Sequence, residues 1–246
     1  MKEDGWLTVV IPAYNEKLRI YPTLREVEVF HRKYPNVVKK VVVVDDGSKD
    51  NTVEVALRAT ANMDAEIIAL KENSGKWAAI HAGIAFAKTD ALLILDADGS
   101  AQISELRKMS PAYLKEIRKE RVCVFGSRFS KGSSVEGKSL VRGVISQGYR
   151  AYVLLMYWFA TKRTDVNDMQ CPWKLVWKSQ IHGEWLEENR FCGDLELACS
   201  IKGRIENYPV QFIHMAGSKI KTETIWEMFK GTWRVAKRFR KIETEE

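Results

Sequence analysis

A chain of 246 residues, 46% hydrophobic and 29% charged, can bury a large core, and this composition excludes a disordered or fibrous protein. Four cysteines without a C-x-x-C pair and four scattered histidines exclude a disulfide framework or zinc finger, so reduced thiols are expected. The net charge of +7 is concentrated: Lys219 to Lys241 hold eight Lys/Arg against two Asp/Glu, which suits nucleic acid or an anionic membrane surface.

The first half alternates strand and helix signals. Leu7 to Ile11, Val41 to Val44, Glu66 to Leu70, Ala91 to Leu95 and Val122 to Phe125 read as short, all-apolar strands. Helices are expected near 16–34, 51–62, 76–88 and 103–119. This order points to an α/β fold with a mostly parallel sheet covered on both faces. The second half is less regular. It reads as a helix at 140–162, a strand from Lys174 to Trp177, helices near 179–189 and 194–202, a strand from Arg204 to Ile213 and a final helix from Thr222 to Lys241. The longest apolar run, Ala151 to Ala160, is about half of what a transmembrane helix needs. Met1 to Gly5 is too polar to open a signal peptide, so no spanning segment is expected in this chain.

In parallel sheets ligands gather at the carboxyl ends of the strands. The loops expected there carry Pro12, Ala13, Tyr14, Asn15 and Glu16; Asp45, Asp46, Gly47 and Ser48; Glu72 to Lys76; Asp96, Ala97 and Asp98; and Gly126, Ser127 and Arg128. Two carboxylates at i and i+2, Asp96 and Asp98, form an acidic clasp of the kind that holds Mg²⁺ or Mn²⁺ on a substrate's phosphates. An Asp98-Gly99 turn is the plainer alternative. No G-x-G-x-x-G follows the first strand and no G-x-x-x-x-G-K-[ST] is present, which argues against a dinucleotide fingerprint or a P-loop. Asp45 or Asp46 could accept from a base N–H, Pro12 and Tyr14 could flank the base, and Gly75-Lys76 could support phosphates through a helix N-terminus.

Taken together, Val10-Ile11-Pro12-Ala13-Tyr14-Asn15-Glu16, Val44-Asp45-Asp46-Gly47-Ser48, Asn73-Ser74-Gly75-Lys76 and Asp96-Ala97-Asp98 resemble the family 2 glycosyltransferases of the GT-A fold. Gly126-Ser127-Arg128, Arg142, Asp168 to Leu175, Gly193-Asp194-Leu195-Glu196 and Gly217-Ser218-Lys219 extend the likeness to the polyprenyl (dolichyl) phosphate hexosyltransferases, over roughly residues 7–235. The resemblance implies an inverting transfer of glucose or mannose from UDP-glucose or GDP-mannose to a polyprenyl or dolichyl phosphate. Pro12, Ala13, Tyr14, Glu16, Asp45, Asp46, Gly75, Lys76, Asp96 and Ala97 would bind the nucleotide sugar, with Asp96 and Asp98 as ligands of Mg²⁺ or Mn²⁺.

The catalytic set implied by the family is Asp98, Asp194, Glu196, Arg128, Arg142 and Lys219. Arg128, Arg142 and Lys219 match phosphate-binding positions, while Asp194 and Glu196 match an acidic motif facing sugar and acceptor. Ser100 stands where mannose synthases often carry a Gln. The expected organisation is a GT-A domain at 1–218, with a nucleotide half at 1–100 and an acceptor half at 101–218. A basic amphipathic helix at 219–246 would follow and lie on a membrane as a peripheral, cytoplasmic-face element. The other readings are a family 2 enzyme with a soluble glycan acceptor, and a nucleic-acid-binding protein. The second leaves the convergence of five loops unexplained, and no nucleic-acid partner is expected.

Overall fold

The computed structural model describes residues 5–137, 140–183, 186–190, 192–214 and 222–245, with 140–145, 222–225 and 245 described by backbone alone. The first half contains β1 (Leu7–Ala13), α1 (Ile20–Lys33), β2 (Val38–Asp45), α2 (Thr52–Ala59), β3 (Ala65–Ala69), α3 (Lys76–Phe86) and β4 (Ala91–Ile94). After these come α4 (Glu105–Lys108), α5 (Pro111–Glu120), β5 (Cys123–Ser127), β6 (Ser134–Glu136) and α6 (Leu140–Thr161). The chain continues through β7 (Lys174–Trp177), α7 (Gly193–Ser200), β8 (Ile205–Pro209), β9 (Gln211–Ile213) and α8 (Thr222–Glu245).

Seven strands form one sheet in the order β3-β2-β1-β4-β7-β5-β8, and β6 and β9 pair in a small parallel ribbon. All neighbours in the large sheet run parallel except β7, which is antiparallel to both β4 and β5. β1 and β4 are buried at every position, as expected of strands covered on both faces. The winding reverses at β1: β2 and β3 are added on one side, β4 on the other. Loops part at such a switch point and leave a crevice at the carboxyl edge. Pro12 and Ala13 end one wall of it, and Asp96 stands on the other.

Three expected elements differ. The helix expected at 103–119 is two helices, α4 and α5. Met109 is extended, Ser110 caps α5 by accepting from Tyr113 N at 3.1 Å, and Pro111 lies in the first turn. The strand expected at 204–213 is divided by buried Val210 into β8 and β9, which belong to different sheets.

Among the described residues of 179–189 no α-helix forms. A short 3₁₀ turn covers Lys178–Gln180, and Ile181 bridges to Ile201. Beyond Gly183, the amides of Glu187 and Glu188 donate to the carboxylate of Glu196. A side chain thereby takes donors that a helix would have turned on its own carbonyls.

Close packing of α7 on α3 depends on Gly193. A Cβ there would come within 2.2 Å of Trp77 Cγ, and Trp77 is itself buried. Gly193→Ala is therefore expected to lower stability by about 1–3 kcal/mol through overpacking. Urea unfolding reads this as a lower midpoint with an unchanged slope.

Candidate active site

A cleft of about 390 Å³ opens at the carboxyl edge, lined by Pro12, Ala13, Tyr14, Glu16, Asp46, Asn73, Gly75, Lys76, Asp96, Ala97, Asp98 and Arg190. Of the residues expected to bind a nucleotide sugar, Asp45 alone is not part of this lining. Each wall is held by its neighbour. Asn15, at φ 54°, accepts from Lys49 N at 2.9 Å and donates its own N–H to Ser48 Oγ at 2.8 Å, stapling the β1 loop to the β2 loop. Thr23 Oγ1 of α1 donates to Ala97 O at 2.9 Å, fixing the Asp96–Asp98 turn.

The Asp46 carboxylate is engaged within the protein. It is 2% exposed, and its oxygens accept from Asn73 Nδ2 at 2.7 Å, Ser74 N at 2.8 Å and Gly75 N at 2.9 Å. Asp46 therefore shapes the 73–75 loop beneath the cleft. Asp45 accepts from Ser48 N at 2.9 Å through Oδ2, while its Oδ1 is buried without a hydrogen bond.

The start of α3 is also engaged. Trp77 N and Ala78 N donate to Asn189 O at 2.9 and 3.2 Å, so these amides are not turned to a phosphate. The Lys76 side chain itself lines the cleft. Its Nζ lies 2.5 Å from Asp96 Oδ1. Burial works against the Lys76 charge, but Asp96, Asp194 and Asp98 outweigh it and raise the ammonium above the ordinary lysine value.

Burial holds the Glu16 carboxyl above its ordinary range, against the lowering by Arg19, and Asp98 and Asp96 push it the same way. Arg19 grips Glu16 with two bonds, at 2.6 and 2.5 Å.

Asp96 and Asp98 sit on a tight turn. Gly99 has φ 72°, and Asp98 Oδ1 accepts from Ser100 N at 2.9 Å. The plain Asp-Gly turn and the acidic clasp are thus the same piece of chain. Among the described residues no group of three or more His, Cys, Asp or Glu converges to hold a metal. A hard divalent cation needs no such group when substrate phosphates and water complete its shell. Asp96 Oδ1 is buried and outside hydrogen-bond geometry, yet it already draws the Lys76 ammonium. The two carboxylates fit Mg²⁺ or Mn²⁺ on this ground.

Residues expected to act as an acidic pair separate. Positions i and i+2 of a helix point to nearly opposite sides. Asp194 Oδ1 meets Lys174 Nζ at 2.7 Å on the side of β7. Glu196 is 0% exposed and turned the other way, accepting from Glu187 N, Glu188 N and Arg238 Nη2. Burial raises the Glu196 carboxyl, and the Glu187, Arg238 and Glu188 hydrogen bonds partly offset this. In this structure it is a strut between the 187–188 amides and Arg238.

Arg128 has a partner within the protein. Its Nε and Nη2 both bond Asp168 at 2.8 Å, and its N–H adds a third bond at 2.9 Å. One edge of the guanidinium is thus taken by a fully buried carboxylate. Of Arg142 only the backbone, within α6, is described, and Lys219 lies outside the described residues. All four cysteines are buried free thiols, and burial pushes Cys171 up to about 12, away from nucleophilic use.

Arg190 of the cleft lining carried no mark in the sequence, and Lys174 was marked only as part of the Asp168 to Leu175 segment. Lys174 opened an all-apolar strand, where a lysine needs a buried partner, and that was its signal. Arg190 followed an expected helix, where a basic residue is ordinary.

A Rossmann-like sheet with an acidic, lysine-bearing cleft at its switch point defines a GT-A nucleotide-sugar transferase. Residues 8–173 match glycosyl transferase family 2, and the chain belongs to that family. It is a glycosyltransferase. It is 28% identical over 239 residues to dolichyl-phosphate beta-glucosyltransferase ALG5C of Trichomonas vaginalis, covering 92% of this chain and 69% of that protein. It is 29% identical over 258 residues to dolichyl-phosphate beta-glucosyltransferase of Drosophila melanogaster, covering 94% of this chain and 77% of the other. Among solved structures it resembles glucosyl-3-phosphoglycerate synthase from Mycobacterium tuberculosis in complex with Mn²⁺, UDP and glucosyl-3-phosphoglycerate. The TM-score is 0.64 at 15% identity, over 95% of this chain and 79% of that one.

The Lys174–Asp194 pair has a measurable consequence. Lys174 is 2% exposed, so Asp194→Ala leaves a buried ammonium uncompensated and should destabilise the fold by about 3 kcal/mol. Adding Lys174→Met should recover most of that loss in chemical denaturation.

Proposed function

We propose that this chain transfers glucose from UDP-glucose to dolichyl (polyprenyl) phosphate with inversion at the anomeric carbon. The observation that carries the reading is the cleft at the β1/β4 switch point, where Asp96 and Asp98 face Lys76. The choice of glucose and of a lipid phosphate is supported by the names of relatives aligned over nine-tenths of the chain. In this reading Pro12 and Tyr14 flank the uracil, and Lys76 stabilises the charge that builds on the departing diphosphate. Asp96 and Asp98 would hold Mg²⁺ or Mn²⁺, which when bound neutralises part of that same charge.

An oxygen of the acceptor phosphate attacks the anomeric carbon as the bond from that carbon to the diphosphate oxygen breaks, and UDP leaves. A phosphate monoester is anionic near neutral pH, so the protein's task is orientation and exclusion of water more than proton removal. Asp194, paired with Lys174, lies within electrostatic reach of both Lys76 and Arg128. A sugar hydroxyl donating to Asp194 fits that place. Arg142, Lys219 and the remaining edge of Arg128 are assigned to the acceptor phosphate.

A lipid acceptor also accounts for a surface shared by α6 and α8. Trp226 and Trp233 are 63% and 45% exposed, and Leu155 and Trp158 are exposed on the neighbouring helix. Trp233 stacks on Phe159 at 5.6 Å, and Lys162 and Lys230 lie over Trp158 and Trp226. Aromatic rings beside lysines are the pattern of an element lying in a bilayer interface. Toward the protein α8 is buried through Thr232, Val235, Ala236 and Phe239, so the helix has one face for the domain and another for lipid. Among the described residues no helix is long and apolar enough to cross a membrane.

The central test is a panel of UDP- and GDP-sugars assayed against dolichyl phosphate. UDP-glucose is expected to be the best donor, and Asp98→Ala to reduce transfer by at least about a hundredfold. Transfer by folded Asp98→Ala at the parent rate would sink the reading. For the membrane surface, Trp226→Ser with Trp233→Ser should reduce flotation with anionic vesicles, while soluble expression and melting temperature stay near those of the parent. Equal flotation of parent and variant would remove the lipid face.

A further inference from the structure

We propose that Arg190 is a second diphosphate-binding cation of the cleft, positioned by a strap at 186–190 that α8 holds in place. The inference rests on the nucleotide-sugar reading above. Arg190 lines the same cleft as Lys76, yet comes from the far end of the sequence. Its side chain is exposed, and among the described residues no carboxylate pairs with it. By contrast, the Arg128, Arg234 and Arg238 side chains are each bonded to carboxylates.

The strap is bonded on both sides. Toward the cleft, Asn189 O accepts from Trp77 N and Ala78 N at the start of α3. The contact is so close that a Cβ on Gly75 would lie 2.2 Å from Asn189 O and 2.7 Å from Arg190 Cγ. Gly75, at φ 111°, is the residue that admits the strap. Away from the cleft, Glu187 N and Glu188 N donate to buried Glu196. Arg234 of α8 grips Glu188 with Nε at 3.0 Å and Nη2 at 2.5 Å, and Arg238 reaches Glu187 at 2.6 Å.

Charge gives this placement its purpose. The diphosphate of a nucleotide sugar carries two negative charges. A divalent cation is matched by Asp96 and Asp98, Glu16 is paired with Arg19, and Asp46 is saturated by the loop beneath it. Lys76 then answers one phosphate charge, and Arg190 is the lining group left to answer the other. Its planar fork suits two phosphate oxygens at once. Because Arg234 and Arg238 belong to α8, the helix proposed to lie on lipid also sets the wall of the donor cleft. A change at Arg234, which does not line the cleft, should therefore be felt in donor binding.

The test is UDP binding by calorimetry, with EDTA and with Mn²⁺, alongside donor KM. Arg190→Ala should weaken UDP binding by about tenfold to a hundredfold in both conditions and raise donor KM similarly with Mn²⁺, with Arg190→Lys between it and the parent. Arg234→Glu should weaken UDP binding as well, and Arg234→Glu combined with Glu188→Arg should restore it, which lost packing alone would not do. Arg190 and Arg234 are exposed, so these variants are expected to fold, and circular dichroism verifies it. If the parent binds UDP and Arg190→Ala binds it equally well, the inference falls while the donor reading stands. If Arg234→Glu leaves UDP affinity unchanged, the strap has no positioning role. Failure of the parent to bind UDP overturns the donor reading and this inference with it.

Discussion

Both oxygens of the Asp46 carboxylate accept hydrogen bonds from the 73–75 loop, and the donor cleft is arranged around that buried contact. A buried carboxylate must be satisfied by donors close at hand. Asn73, Ser74 and Gly75 supply them, which draws the loop over the end of β2 and starts α3 at Lys76. From that start Lys76 reaches Asp96 across the switch point. Without it the acidic turn after β4 would lose the lysine paired with Asp96.

Glu196 plays the same part on the far wall. It is fully buried, takes two consecutive amides of the 186–190 segment, and meets Arg238 of α8. Burial of a charge is unfavourable unless it is paired and hydrogen-bonded, so Glu196 compels its neighbours into one arrangement. Two acids that touch no substrate in the proposed mechanism thus fix the walls that would. The proposed membrane face is linked to the same wall, since α8 carries the exposed tryptophans outward and Arg234 and Arg238 inward.

Much of this was legible in the chain. Strands β1, β2 and β4 announced themselves as all-apolar runs, and the carboxyl-edge loops carried the polar residues that now line the cleft. In two of the three misread elements a side chain or a proline competes with the backbone. Ser110 and Pro111 divide one expected helix, and Glu196 takes the amides of another. The direction in which a charged side chain points was not legible. Asp194 and Glu196 are neighbours in sequence but sit on opposite sides of α7, and one edge of the Arg128 fork is taken by Asp168, forty residues away.

The sequence by itself determined the α/β alternation, the acidic turn at Asp96 to Asp98 and the family likeness. Hydrophobic periodicity and loop chemistry are local properties, written within a few residues. Only the tertiary structure decided which charges face the cleft and which are consumed inside the protein. That outcome depends on contacts such as Lys174 with Asp194, Lys76 with Asp96 and the Gly75 loop with Asn189, each joining segments far apart in the chain. A carboxylate or guanidinium reads the same in sequence whether it meets a substrate or a buried partner. Its neighbours in space make the difference.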